Sequence, residues 1–160
     1  MPPCAATVCE RVGKTLEMQA VFIGDWYLET EEGIGSPDLM PVTDFADADG
    51  SALAQLLPTG PDYPGAQVDT LFTDLIHNAR DRVVLATPYF IPNEPLLQAM
   101  STAVAKGVTV SLFVTYTTNS ILIDHAQRSY YGMLLKAGVL IHLYHKPRML
   151  HSKYMIVDGN

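Results

Sequence analysis

Near the end of the sequence, the run L-H-S-K-Y-M-I-V-D-G-N sets Lys153 two residues after His151, and Asp158 seven residues after it. On a strand, a two-residue spacing sends both side chains to one face, with Ser152 and Tyr154 on the other. Asp158 opens an Asp-Gly turn and need not share that parity. An imidazole beside an ammonium is awkward for structure alone, because the like charge opposes protonation of the ring and neither group suits a dry face. An anion between them resolves the conflict. A phosphate or phosphodiester draws Lys153 as a charge clamp and lets His151 attack phosphorus or shuttle a proton. The plainer reading is an edge-strand lysine beside a half-buried histidine, and spacing alone does not separate the two.

Other residues have weaker claims. Tyr89, Phe90 and Pro92 follow a β-branched run, at the strand end where α/β sheets place ligand loops; simple aromatic packing explains them equally well. Arg128, beside Tyr130 and Tyr131, either braces an acidic partner or lies in solvent. His142, His145 and His151 invite a zinc reading, but no ligand set with an organised fourth position emerges. No metal and no cofactor is expected. Cys4 and Cys9 could close only a tiny loop, and no second cysteine pair follows, so they read as a reduced, structurally minor pair.

The elements that must position these residues follow from periodicity. Residues 14 to 28 place Leu16, Gln19, Phe22 and Trp26 at helical spacing, with Met18 and Ile23 nearby and Gly24 weakening the helix. From Glu29 to Gly50, glycines, prolines and Asp38, Asp44, Asp47 and Asp49 mark a solvated connector. After a turn-rich stretch near Pro58 to Gly65, a helix over 67 to 80 carries Val68, Leu71, Phe72, Leu75, Ile76 and Ala79 on one face. Strand Arg82 to Ala86, a helix capped by Asn93 and closed by Gly107, strand Val108 to Val114, a helix from Ile123 ended by Gly138, and strand Val139 to Tyr144 come next. His151 to Asp158 is a last β-prone stretch. The alternation is that of an α/β domain with a mostly parallel or mixed sheet flanked by helices, and the apolar strands suit a sheet covered on both faces.

Composition narrows the partners. Lys+Arg number 10 against 17 Asp+Glu, a net charge of -7, which argues against a nucleic-acid protein held by a broad basic surface. A small cationic pocket inside an acidic shell remains compatible with that balance. No apolar run approaches the ~20 residues a bilayer-spanning helix needs, and the start lacks the layout of a secretory signal. The chain reads as soluble.

His151, Lys153 and Asp158 match the H-x-K-x4-D signature of the phospholipase D-like superfamily. L-E-M-Q-A-V-F-I-G-D-W-Y-L-E-T, T-P-Y-F-I-P-N-E at Thr87 to Glu94, and R-S-Y-Y at Arg128 to Tyr131 followed by L-L-K-A-G-V-L-I extend the likeness. From about residue 14 to its end, the chain resembles the C-terminal half of bacterial cardiolipin synthases. That resemblance implies a phosphatidyltransferase that exchanges a phosphatidyl group between phosphatidylglycerol, or a related donor, and an alcohol through a phosphohistidine. His151 would be the acid/base member, Lys153 would neutralise a phosphate oxygen, and Asp158 would orient a histidine. The loop of Tyr89, Phe90 and Pro92 would line the lipid phosphate pocket with Arg128 near it, and Asp25 and Trp26 would support the interface between halves. Membrane association, at the bacterial inner membrane, is implied for the parent protein.

The departures from the family pattern shape the remaining expectations. The family site uses two H-x-K-x4-D motifs, and none of the other histidines here has a lysine two residues on. The family's Gly-Ser-x-Asn segment would follow Gly159-Asn160, and Thr118-Asn119 stands where Ser-Asp is usual. The sequence therefore reads as a fragment. Residues 1–50 would be the end of a preceding catalytic half with its acidic connector, and 51–160 a second phospholipase D-like domain cut after its motif. Such a fragment would be inactive without the missing N-terminal half. Phospholipase D or phosphodiesterase hydrolysis by the same site, or a catalytically idle α/β module, are the competing functions.

Overall fold

A computed structural model describes residues 12–34, 55–60, 63, 68–116, 120–145, 147 and 150–159. Cys4, Cys9, Thr118, Asn119 and most of the acidic connector lie outside the described residues. The chain divides into two compact units, Met1–Gln67 and Val68–Asn160. In the first, helix α1 spans Val12–Thr30 and continues through Gly24. It ends where the Thr30 hydroxyl donates to the Trp26 carbonyl at 2.8 Å and Glu31 turns to φ 58°. Phe22 and Trp26 lie one turn apart, ring centroids 6.1 Å from each other, and remain 50% and 40% exposed.

The second unit holds α2 (Val68–Asn78), β1 (Arg82–Thr87), α3 (Glu94–Ala105), β2 (Thr109–Thr115), α4 (Ile121–Ala137), β3 (Leu140–Tyr144) and β4 (Tyr154–Val157). The strands form one mixed sheet in the order β3-β2-β1-β4. β1 pairs with β2 and β2 with β3 in parallel, while β4 runs antiparallel along β1. Both parallel crossovers step the same way across the sheet. Right-handed connections therefore lay α3 and α4 on one face, where α3 packs on β2 and α4 on β3.

The strands bury alternate residues toward those helices. Val83 and Leu85 of β1 and Val110, Leu112 and Val114 of β2 are core, with Ile141, Leu143, Met155 and Val157 of the outer strands packed against them. On the other face Val84, Phe113 and Ile156 are half-buried and His142 and Tyr154 exposed. α2 buries less than its periodicity suggests. Ile76 and Ala79 are enclosed, but Val68, Leu71 and Leu75 stay 36–41% exposed, because α2 meets its neighbours along a strip narrower than its apolar face.

Local signals fix the helix ends as the sequence indicates. Asn93 caps α3, its side chain accepting from the Leu96 amide at 3.1 Å, and Gly107 closes it at φ 92°. Gly138 ends α4 at φ 95°, where an added Cβ would stand 2.9 Å from Val104 Cγ1. Glycine is required there both for conformation and for space.

Candidate active site

Because β4 runs against β1, with Tyr154 opposite Ala86, the residues just before Tyr154 pass the C-terminal end of β1. His151, Ser152 and Lys153 therefore lie at the edge of the sheet where the parallel strands end, the edge at which α/β folds gather their ligand loops. This corrects the expectation that His151 and Lys153 sit on the strand itself. The ladder stops because β1 runs out at Thr87 and the following Pro88 has no amide hydrogen to continue it. His151 and Lys153 are both exposed, and the Lys153 ammonium curls back to donate to the His151 carbonyl at 3.3 Å.

Two buried polar side chains that sequence reasoning missed sit behind this edge. Gln127 of α4 is 1% exposed and Thr115, the last residue of β2, 4%. Gln127 Nε2 donates to the Thr115 carbonyl at 3.2 Å, and its Oε1 accepts the Phe90 amide at 2.9 Å. The Thr115 hydroxyl in turn donates to the Leu150 carbonyl at 3.0 Å, one residue before His151. The signal for Gln127 was present in the sequence. It falls in step with Ile123, Tyr130 and Leu134 on the inward helical stripe, where an amide must find partners or cost stability.

The loop residues separate by environment. Phe90 is 3% exposed and belongs to the core, so its ring packs rather than faces a ligand. Tyr89 is 37% exposed, Pro92 is half-buried, and the Thr87 hydroxyl steadies the turn by donating to the Tyr89 carbonyl at 2.8 Å. Arg128 is already engaged. It donates to the Tyr116 carbonyl at 2.9 Å and lies 5.4 Å from the centre of the Tyr116 ring. Burial pushes the neighbouring Tyr131 phenol above its ordinary value, while the Gln127 amide and the Arg128 charge draw it back part way.

Asp158 does not approach His151. It stands at the far end of β4, beside the start of β1, in the left-handed conformation at φ 55°. Its carboxylate accepts from the backbone amides of Arg80 (3.0 and 3.2 Å), Asp81 (2.8 Å) and Arg82 (3.0 Å), and its own amide donates to the Arg82 carbonyl at 2.9 Å. Those amides, led by Asp81, then Arg82 and Arg80, hold the carboxyl below its usual value. These contacts fasten the end of β4 to the start of β1.

The remaining histidines have partners of another kind. His142 stacks on Phe113 with centroids 4.4 Å apart, and His145 stacks on Tyr116 at the same separation. Among the described residues no group of three or more histidine, cysteine or acidic side chains is placed to hold a metal ion. Among the described residues, too, no helix is long and apolar enough to cross a membrane.

Residues 72–160 match the family described as cardiolipin synthase, PLD-like domain. The chain belongs to that family. It is similar to cardiolipin synthase A of Pectobacterium carotovorum, 34% identical over 143 residues. It is equally similar to the cardiolipin synthase of Geobacillus kaustophilus, 34% identical over 142 residues. These alignments take in 87% and 89% of this chain but only 28% of either relative; the chain thus spans little more than a quarter of the length of the curated relatives it matches. Among solved structures it is similar to Nuc of Salmonella typhimurium, a phospholipase D family member, at 20% identity and a TM-score of 0.49, covering 59% of this chain and 60% of that one.

Proposed function

We propose that this PLD-like domain supplies one half of a phosphatidyl-transfer site, with His151 and Lys153 as the groups that meet the phosphodiester. The observation that carries this reading is the exposed His151-Ser152-Lys153 segment, poised past the ends of the parallel strands in a chain of this family. The donor in this reading is phosphatidylglycerol or a related phospholipid and the acceptor an alcohol, as the resemblance to cardiolipin synthases implies.

The chemistry follows from the side chains. A histidine of the other half attacks phosphorus, the bond to the departing alkoxide breaks, and His151 gives that oxygen its proton. His151 then takes the proton of the incoming alcohol, whose oxygen attacks phosphorus and breaks the bond to the other histidine. A histidine can serve in both transfers because its imidazole can release a proton and take one back. Lys153 opposes the charge that gathers on a non-bridging oxygen in the transition state. Asp158 takes no part in the proton transfers and holds the strand that carries the pair.

Because one imidazole cannot stand on both sides of one phosphorus, the 160-residue chain by itself turns over no phosphatidylglycerol. Joined to a domain bearing a second H-x-K-x4-D motif, it forms lipid product. The test is product formation from labelled phosphatidylglycerol by both proteins and by the joined protein carrying His151→Ala. That substitution lowers turnover by roughly 10²–10⁴-fold, the span of general acid-base catalysis, with an unchanged circular dichroism spectrum. Near wild-type turnover in folded His151→Ala ends the assignment of His151, and brisk turnover by the bare chain ends the half-site reading.

A further inference from the structure

We infer that Thr115, itself held by Gln127, is the positioning residue for His151. The inference rests on the reading of His151 as a phosphate-facing group. His151 lies outside the ladder, which begins only at Tyr154, so sheet pairing does not fix its backbone on the upstream side. The Thr115 hydroxyl does so instead, through its 3.0 Å bond to the Leu150 carbonyl. The Leu150–His151 peptide is planar, and fixing its carbonyl fixes the direction in which the chain enters His151.

Thr115 is in turn held from behind. Gln127 spans from the Thr115 carbonyl to the Phe90 amide, so the loop after β1, the end of β2 and the segment leading to His151 are joined by two enclosed side chains. Valine at 115 and leucine at 127 would fill the same spaces but leave the Leu150 and Thr115 carbonyls and the Phe90 amide without these partners. A threonine and a glutamine at these places are therefore explained by what they connect. Because the two bonds of Gln127 and the hydroxyl of Thr115 are all directed, the arrangement specifies one backbone path into His151 rather than merely filling volume.

The experiment uses the isotope-labelled chain, with the His151 signals assigned by their loss in His151→Ala, and inorganic phosphate as the probe. In the unaltered chain the His151 backbone is ordered and its ring signals shift on adding phosphate. Thr115→Val removes the donor. It disorders the His151 amide on the nanosecond timescale and weakens phosphate binding by about fivefold to tenfold, the range one hydrogen bond controls. Thr115→Ser, which keeps a hydroxyl, restores both. If valine unfolds the domain, Thr115→Ala removes the donor without crowding the site. Unchanged order at His151 in a folded valine or alanine variant overturns the inference, and so does failure of serine to restore it. Disorder in the valine variant, rescued by serine, with no phosphate response in the unaltered chain, supports the positioning role and defeats the phosphate reading alone.

Discussion

The two ends of β4 are made differently. Before Tyr154, the chain is unpaired and exposed, and His151 and Lys153 contact each other only through one long bond from an ammonium to a carbonyl. After Val157, Asp158 gathers three backbone amides onto one carboxylate and returns a bond of its own. A single eight-residue motif thus divides along four residues of strand: an exposed His-Ser-Lys segment at the end that leaves the sheet, attachment at the end that is tied to it. Substitutions at the first end should change rate and spare stability. Substitutions at the second should do the reverse.

The largest effect tests the reactive end. In a protein that joins this domain to a second motif, Lys153→Ala lowers turnover by roughly 10²–10³-fold, as loss of a preorganised group opposing transition-state charge does. The melting temperature stays where it was, since the lysine is exposed and lightly bonded. Lys153→Arg rescues poorly, because a planar fork does not replace a compact ammonium. A large fall in melting temperature in folded Lys153→Ala would erase the contrast between the two ends.

Next in size is the support behind the site. Gln127→Leu strands the Phe90 amide in a buried place and lowers stability by about 1–3 kcal/mol, read by denaturant unfolding with an unchanged slope. Asp158→Ala should cost less, since water can reach the freed amides. It lowers the melting temperature while leaving the phosphate-induced shift of His151 intact, and a lost shift would mean that the two ends are coupled.

Acid titration sharpens the same point. The folded carboxyl of Asp158 lies below its unfolded value, about 3.9 for a free aspartate. Its contribution is therefore complete above that pH and is lost as pH falls through the lower, folded value. Stability of the unaltered chain should decline across this acid range more steeply than that of Asp158→Asn, measured by urea unfolding at several pH values. Parallel curves would remove the carboxylate from the account. The smallest effect is expected at Tyr116→Leu, which takes the ring from under Arg128 and from against His145 and lowers stability by about 0.5–1 kcal/mol.

Much of this arrangement was legible in residue types, and the exceptions have physical reasons. Strand-helix alternation gave the mixed α/β sheet, and Asn93, Gly107 and Gly138 marked helix ends because caps are local chemistry. The H-x-K-x4-D run drew attention to the exposed segment past the ends of the parallel strands. It also suggested a longer strand than exists, since pairing depends on what β1 offers and β1 ends before a proline. The hold of Asp158 on the amides of residues 80–82 was not legible, because those partners are backbone groups that no side-chain pattern announces. The Phe90 ring and the engaged Arg128 look like ligand groups in sequence, and only tertiary contact shows them occupied. Gln127 sat on an inward stripe in plain view, but its two partners come from separate segments.

The position of β4 in the sheet also bears on when the reactive edge comes into being. β1 meets β2 through residues such as Val83 and Val110, close in sequence, whereas it meets β4 through Val83 and Val157. Closing the longer span costs about 0.9 kcal/mol more in chain entropy, for a four-residue ladder on one side only. β4 is accordingly expected to open before the inner strands, and such sub-global opening would take His151 and Lys153 away while β1 and β2 persist. Amides of β4 should exchange with solvent well before those of β1 and β2. The persistence of the edge that carries His151 and Lys153 then follows the local opening of β4 rather than the stability of the domain as a whole.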